Sequence, residues 1–279
     1  MLKVSGSLLK EIYKPRKKDS YKGNYGKVLV VGGSKFYHGS PTLSALAAYR
    51  AGADLVFLSG PERAMNIAAT YGAELITYPL TGDWITNRHI PILLELSSNK
   101  HAIVIGGGMT RNADTLEAII KFLKKIDIPC VVDADAIYAI SKHRDAIKNN
   151  FVLTPHTHEF FVLTGVKVSD LSLEEKVKAV KRAAFEMNCT ILLKGSVDVI
   201  SDGNRTAINK TGNPYMTVGG TGDVLAGVCG ALLAREVEPF TAACAAAFIV
   251  GRAGDVAAKE KKEGLLPSDV IDAIPKVIR

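Results

Sequence analysis

The sequence has few features of an extracellular or membrane protein. Four cysteines are spread over 279 residues, and no two of them have the spacing of a metal site or a redox pair. No apolar run approaches the roughly 20 residues that a membrane span needs, and the N-terminus lacks the apolar core of a signal peptide. We therefore expect a soluble, cytoplasmic protein without membrane contact, in which all four cysteines are reduced core residues: Cys130, Cys189, Cys229 and Cys244.

Linkers and repeats are also lacking. No stretch rich in Pro, Gly and Ser interrupts the chain, and 47% hydrophobic residues suffice for one large core. We expect a single domain over residues 1–279, with residues 1–24 as an N-terminal extension. The net charge of +7 is scattered except at Lys14–Lys18, which we interpret as a solvated segment. Such a surface favours small anionic ligands such as nucleotides, and we expect no nucleic-acid partner.

From residue 27 the chain alternates short β-branched apolar runs with longer stretches of helical periodicity. This pattern predicts an α/β fold with a mainly parallel sheet flanked by helices. The turn at Asp202-Gly203-Asn204 adds an antiparallel hairpin. The predicted strands are Val28–Val31, Leu55–Leu58, Ile103–Ile105, Cys130–Asp133, Phe151–Thr154, Thr190–Leu193, Val197–Ser201 and Thr206–Asn209. The predicted helices are Pro41–Arg50, Thr115–Lys125, Leu173–Asn188, Asp223–Arg235 and Pro239–Lys259, with Ser40 capping the first of them.

The run from Val218 to Gly227 reads VGGTGDVLAG, a glycine-rich loop that enters an apolar helix. Glycines let backbone N–H groups face one anion, and the helix adds its positive dipole end. An aspartate there, Asp223, should stay ionised and could accept a proton from a group that attacks phosphorus. The loop therefore suggests phosphoryl transfer to a hydroxyl. A tight turn with an ordinary first-turn aspartate is the alternative for this motif taken alone.

Polar and glycine clusters follow several predicted strands, and ligands of open parallel sheets bind beyond the strands' carboxyl ends. Lys194-Gly195 could supply a charged donor and a close backbone approach to a nucleotide. Glu159, near the start of a helix beginning about Thr157, could orient magnesium directly or through water. His156 and His158 could suggest zinc, but no third ligand has a recognisable spacing, and a capping role is commoner.

The order of these motifs resembles the NAD(P)H-hydrate dehydratase family over residues 22 to about 275. The resemblance rests on GKVLVVGGS from Gly26, YHGS from Tyr37, VDADA from Val132, TPH from Thr154, LKG from Leu193 and GGTGDVLAG from Gly219. It implies a ribokinase-like, three-layer α/β/α fold. It also implies dehydration of the S form of hydrated NADH or NADPH. The ring hydroxyl would be phosphorylated with ADP or ATP and Mg²⁺, and phosphate would then be eliminated.

The resemblance also assigns expected roles to residues. Asp223 would be the catalytic base, and Gly220, Thr221 and Gly222 would form the anion hole. Nucleotide contacts would be Lys194, Gly195, Ser196, Val197, Asp198 and Gly222. Substrate contacts would be Ser40, Gly108, Thr110, His156 and Asp223, and Glu159 would organise Mg²⁺. Asp133 and Asp135 could be structural, with Asp135 capping a helix.

The departures from the family pattern fall mainly on the substrate side. Gly106-Gly107-Gly108-Met109-Thr110 replaces the common Gly-Pro-Gly-Leu-Gly, and Ser40-Pro41 replaces a pair of alanines. His158 has no family role to inherit, and Val250-Gly251 replaces a histidine-glycine pair. The phosphoryl chemistry is therefore a firmer expectation than the acceptor, and the preferences between ADP and ATP and between the two hydrated cofactors stay open.

Two alternatives remain at this stage. One is a small-molecule kinase of the same fold, acting on a hydroxymethylpyrimidine, a hydroxyethylthiazole or a sugar; the other is a nucleotide-binding regulator without catalysis. The resemblance leads us to expect a homo-oligomer, a tetramer in related proteins. With about 25 residues before the first strand we expect no epimerase domain, so that a separate epimerase would be functionally linked.

Overall fold

Ten strands form one sheet in the computed structural model, which describes residues 2–278. They are β1 (Leu2–Lys3), β2 (Lys27–Val31), β3 (Leu55–Pro61), β4 (Ile76–Leu80), β5 (Ala102–Ile105), β6 (Cys130–Val132), β7 (Phe151–Leu153), β8 (Thr190–Leu193), β9 (Asp198–Ser201) and β10 (Thr206–Asn209). Their order across the sheet is β1-β10-β9-β8-β7-β6-β5-β2-β3-β4. Strands β2 to β8 are mutually parallel, and β9 is antiparallel to both of its neighbours.

Eleven α-helices lie among residues 2–278. They are α1 (Ser7–Ile12), α2 (Gly39–Arg50), α3 (Glu62–Ala68), α4 (Ile90–Ser97), α5 (Ala113–Lys125), α6 (Asp135–Ile140), α7 (Thr157–Thr164), α8 (Leu173–Met187), α9 (Thr221–Ala234), α10 (Pro239–Lys261) and α11 (Pro267–Val277).

The sheet separates two hydrophobic cores. Side chains alternate between the faces of a strand, so Val28 and Val30 of β2 pack with α2, α9, α10 and α11, while Leu29 and Val31 pack with α5 to α8. Because both faces are covered by helices, strands β5 to β8 are buried throughout. The predicted three-layer α/β/α fold is confirmed.

All eight predicted strands and all five predicted helices are present, with ends that differ by at most three residues. The hairpin of β9 and β10 and the helix at Thr157 are confirmed, and all four cysteines are buried and free. The predicted capping by Ser40 was wrong. Helix α2 begins at Gly39, its N-cap is His38, and the Ser40 hydroxyl bonds elsewhere. Gly52, with φ +94°, follows the end of this helix.

The expectation that no segment is long and apolar enough for a membrane span was wrong for one helix of the described chain. Pro239–Gly264 meets that test by length and composition. However, 67% of its apolar window is buried inside the protein, and α10 packs against α9 and α11. Its apolar character is therefore explained by its place in the core.

Candidate active site

The carboxyl ends of five neighbouring strands, β8, β7, β6, β5 and β2, meet at one edge of the sheet. The residues that directly follow these strands in the sequence therefore lie close together. They are Lys194, Thr154, Asp133, Gly106 and Gly32. Strand β5 lies beside β2 although β3 and β4 intervene in the chain, which makes this a topological switch point. Helix α9 begins at the same edge, and its first residues lie beside Lys194 and Gly107.

The glycine-rich loop forms the N-terminus of α9. Gly220 has φ +106°, and a Cβ there would come within 2.7 Å of Leu43 Cδ1, so the position requires glycine. Thr221 Oγ1 donates to the carbonyls of Met216 and Val218, which fixes the loop. The first helical bond runs from Val224 N–H to Gly220 O. The N–H groups of residues 220–222, which the resemblance assigns to the anion hole, precede that first helical bond.

Close packing of α2 on α9 brings two serines to Asp223. A Cβ on Gly227 would lie 2.1 Å from Ser44 O, so glycine permits this approach. The Ser44 hydroxyl donates to the Asp223 carbonyl at 2.9 Å, and the Ser40 hydroxyl donates to the Asp223 carboxylate. Ser40 therefore orients the predicted base.

Burial raises the pKa of Asp223 from its ordinary 3.8 to about 6, and the negative charge of Asp133 adds to the rise. The hydrogen bond from Ser40 and the positive charge of Lys194 oppose it. The sequence predicts that this carboxyl stays ionised; burial and neighbouring carboxylates nevertheless raise its pKa in spite of the helix dipole. The group is mostly ionised at neutral pH and titrates near the range in which a general base works best.

Lys194 lies at the centre of a buried charge network. Its Nζ donates to Asp133 Oδ1 at 2.8 Å and is 3.8 Å from Glu159 Oε2, and Thr154 Oγ1 donates to the same Asp133 oxygen. Burial alone would lower the pKa of Lys194, but the two carboxylates hold it above its ordinary value. A Cβ on Gly222 would be 3.4 Å from Nζ. The ammonium is therefore held, charged, beside the glycine-rich loop of residues 219–222, which we call the anion loop.

His156 caps α7. Its Nδ1 accepts the N–H groups of His158 and Glu159, while Glu159 Oε2 accepts the His156 N–H at 2.8 Å. The capping interpretation is confirmed for this histidine. Because Nδ1 is an acceptor, the proton of the neutral ring lies on Nε2, 3.3 Å from Glu159 Oε1. Burial and the charge of Lys194 lower the pKa of His156, which favours that neutral form.

The structural role considered for Asp135, capping of its helix, is wrong, because Ala134 is the N-cap of α6. Instead the Asp135 carboxylate accepts hydrogen bonds from the loop that follows β5. Oδ2 accepts the N–H of Thr110 at 2.8 Å, and Oδ1 accepts Nε of Arg111 at 2.9 Å. Thr110 has φ +73°, a left-handed conformation that is unfavourable for a β-branched residue. Asp135 thus holds the loop in a conformation that Thr110 disfavours.

Two cavities lie on either side of the anion loop. The nucleotide-side cavity, about 540 Å³, is lined by Lys194, Gly195, Ser196, Asp198, Thr221, Gly222 and His156, and beyond them by apolar residues of α9 and α10. The substrate-side cavity, about 770 Å³, is lined by Ser40, Gly108, Thr110, Gly220 and Asp223, together with Phe36, Tyr37, His38, Gly39, Leu43, Arg111, Asp135 and Gly219.

Most residues expected at the site line one of these two cavities, but Glu159 and Val197 line neither. His156, expected near the substrate, lines the nucleotide-side cavity. The Val197 side chain packs against the core. The Asp198 carboxylate bonds Gly195 N–H and Asn209 Nδ2, so it shapes the loop. Arg111 was not among the residues expected at the site. The only indication in the sequence was a positively charged residue directly after the altered glycine loop at residues 106–110.

Residues 2–278 contain no group of three or more His, Cys, Asp or Glu side chains that could hold a metal ion. Glu159, only 4% exposed, already accepts the His156 N–H and lies near Lys194. Mg²⁺ often takes one or two carboxylates and completes its shell with phosphate oxygens and water. Glu159 is a single buried carboxylate that lines neither cavity, so it could contact a magnesium ion carried by a nucleotide only through water.

Comparison with known proteins agrees with this geometry. The sequence model of the NAD(P)H-hydrate dehydratase family matches residues 28–276. The chain is 39% identical to the ADP-dependent (S)-NAD(P)H-hydrate dehydratase of Nitrosopumilus maritimus, over 99% of this chain and 96% of that protein. It is 44% identical to the bifunctional NAD(P)H-hydrate repair enzyme Nnr of Hyperthermus butylicus, over 95% of this chain but 50% of the relative. The chain thus spans about half the length of its bifunctional relatives.

Solved structures show the same fold. The ADP/ATP-dependent NAD(P)H-hydrate dehydratase of Bacillus subtilis, co-crystallized with ATP and Mg²⁺, superposes with a TM-score of 0.80 at 25% identity, covering 98% of this chain and 96% of that one. A hydroxyethylthiazole kinase of Pyrococcus horikoshii, at 20% identity and a TM-score of 0.64 over 98% and 91% of the two chains, shares the fold alone. The predicted ribokinase-like architecture is confirmed, and the chain belongs to the NAD(P)H-hydrate dehydratase family.

Proposed function

We propose that the protein dehydrates the S form of hydrated NADH or NADPH with ADP or ATP as phosphoryl donor. The observation that carries the proposal is the position of Asp223, whose carboxylate lines the substrate-side cavity directly after the anion loop that faces the nucleotide side. A base there can take a proton from an acceptor hydroxyl while the adjacent N–H groups hold the transferring phosphoryl group. Family membership supports the identity of the acceptor.

Asp223 would accept the proton of the ring hydroxyl while the new bond to phosphorus forms. The hydroxyl oxygen bonds to the terminal phosphorus, and the bond to the bridging oxygen breaks, releasing AMP from ADP or ADP from ATP. The N–H groups of residues 220–222 stabilise the charge that develops on the phosphoryl oxygens; losing one such donor typically costs about a hundredfold or more in rate. Lys194 provides a fixed positive charge beside the same group.

Phosphorylation turns the hydroxyl into a good leaving group. The carbon–oxygen bond then breaks with the help of the ring nitrogen's electron pair, phosphate departs, and a proton is lost from the neighbouring carbon to restore the double bond. Glu159 would contact Mg²⁺ through water. The ion, when bound, neutralises negative charge on the donor phosphates.

The test is recovery of the absorbance of reduced nicotinamide when the purified protein meets hydrated NADH or NADPH with Mg²⁺ and either ADP or ATP. Asp223→Ala should abolish recovery and leave nucleotide binding nearly intact, whereas Asp114→Ala, which removes an exposed first-turn aspartate of α5, should change neither. Nucleotide binding without recovery in any combination would contradict the proposal. A stable phosphorylated product without recovery would indicate a small-molecule kinase.

A further inference from the structure

The substrate-side cavity has an unusual charge balance for a site that should take a dinucleotide. Asp135 and Asp223 line it, and Arg111 is the one lysine or arginine among its described lining residues. A dinucleotide brings the negative charges of its diphosphate, and a phosphorylated ribose adds more. Two carboxylates would repel such a ligand, so the position of the single cation matters for binding.

Arg111 is fixed on two sides. Its Nε donates to Asp135 at 2.9 Å, and its guanidinium lies 3.4 Å from the centre of the Tyr138 ring. These contacts leave both terminal nitrogens without a hydrogen bond to any residue in the described part of the chain, and the side chain is 53% exposed. The free edge of a guanidinium can donate two parallel bonds to a phosphate, and its rotamer is already set here.

Resting on the function proposed above, we propose that Arg111 is a phosphate-binding residue of the substrate-side cavity. Its two terminal nitrogens bind phosphate oxygens of the hydrated dinucleotide, while Asp135 and Tyr138 position the guanidinium. The phosphate belongs either to the diphosphate, which both hydrated cofactors carry, or to the ribose 2′-phosphate, which only hydrated NADPH carries.

A purely structural role for Arg111 makes a different prediction. Its loop packs on the reaction centre, since a Cβ on Gly107 would lie 2.4 Å from Ser40 Oγ and 2.9 Å from Asp223 Oδ1. If Arg111 only kept the loop in place, its loss would disturb Asp223 and reduce kcat. A ligand contact shared by ground state and transition state instead raises KM and leaves kcat unchanged.

The experiment measures kcat and KM for hydrated NADH, hydrated NADPH and the nucleotide in Arg111→Ala and Arg111→Lys. Arg252→Ala is the matched control, because Arg252 is similarly exposed and paired with an aspartate but lies on α10, outside the cavity. We expect Arg111→Ala to raise substrate KM roughly 10- to 100-fold, as the loss of charge-assisted hydrogen bonds does, with kcat and nucleotide KM within about twofold. Arg111→Lys should give an intermediate KM.

The two substrates identify the phosphate. An equal rise in KM for both assigns Arg111 to the diphosphate, and a larger rise for hydrated NADPH assigns it to the 2′-phosphate. Dissociation constants for the hydrated cofactors, measured by calorimetry in an Asp223→Asn background, provide a readout that does not depend on turnover. Unchanged substrate affinity, or a fall in kcat without a rise in KM, would overturn the proposal. An inactive wild-type protein would instead contradict the proposed function, while the calorimetry would still test Arg111.

Discussion

The raised pKa of Asp223 implies that the base destabilises the fold that carries it. The native state holds the proton of this carboxyl more tightly than the unfolded chain does, because the pKa rises from 3.8 to about 6 on folding. Ionising the group at pH 7 therefore costs the native state up to roughly 3 kcal/mol. Asp223→Asn removes the charge but keeps an oxygen that can accept from Ser40. We expect the variant to lose activity. Its free energy of unfolding at pH 7 should exceed that of the wild type by about 1–3 kcal/mol, and the lower value allows for solvent that reaches the carboxyl in the cavity.

The pH dependence distinguishes this explanation from a simple packing effect. Between about pH 4 and 6, rising pH ionises Asp223 in the unfolded chain before it ionises Asp223 in the native state. The stability of the wild type relative to the variant therefore falls over that pH range. In urea unfolding without ligands, Asp223→Asn should therefore raise the free energy of unfolding by the full amount of about 1–3 kcal/mol at pH 7. At pH 4 it should raise it by about 0.5 kcal/mol or less. Asp114→Asn, an exposed aspartate also in a helix's first turn, should show no such gain at either pH. A gain independent of pH, or a loss at pH 7, would refute the reasoning.

Two further variants test the surroundings of the base and the substrate loop. Ser40→Ala removes the hydrogen bond that lowers the pKa of Asp223, so the acidic limb of the kcat/KM profile should move to higher pH. Because Ser40 also orients Asp223 and lines the substrate-side cavity, we expect kcat/KM to fall at every pH, with a fall at pH 6 roughly threefold larger than at pH 8. An unshifted limb would rule out Asp223 as the titrating group. Thr110→Gly should raise the unfolding free energy by about 1 kcal/mol or less, because glycine removes the left-handed strain; Asn188→Gly, where asparagine already tolerates φ +47°, should gain less, and a reversed order would contradict this account.

The sequence predicted the central architecture because its signals are local. The alternation of strand and helix periods, the turn at residues 202–204 and the glycines before α9 depend on neighbouring residues alone. Strands β1 and β4 were missed: β1 is two residues long, and Pro79 within β4 is unusual for a strand, which suits its place at the sheet edge. Helix α10 is long and apolar enough to pass the test for a membrane span, because length and composition do not show which neighbours cover a helix.

Within the site, sequence reasoning identified residue types but not their partners. Ser40 and Asp135 were interpreted as caps because both sit where local preference would use them as caps. Each instead makes a contact across the fold, with Asp223 and with the loop at Thr110, at separations of 183 and 25 residues. The raised pKa of Asp223 was not predicted for the same reason, since its burial depends on packing between α2 and α9.

The two cavities meet at the anion loop, and no described residue lines both of them. Under the proposed function, donor and acceptor would occupy different cavities, so neither would have to leave before the other arrives. Turnover would then pass through a ternary complex, and no phosphoryl group would need to be stored on the protein between two half-reactions. Initial-rate lines measured at several nucleotide concentrations would intersect, and substrate and nucleotide would not compete with each other for the free protein.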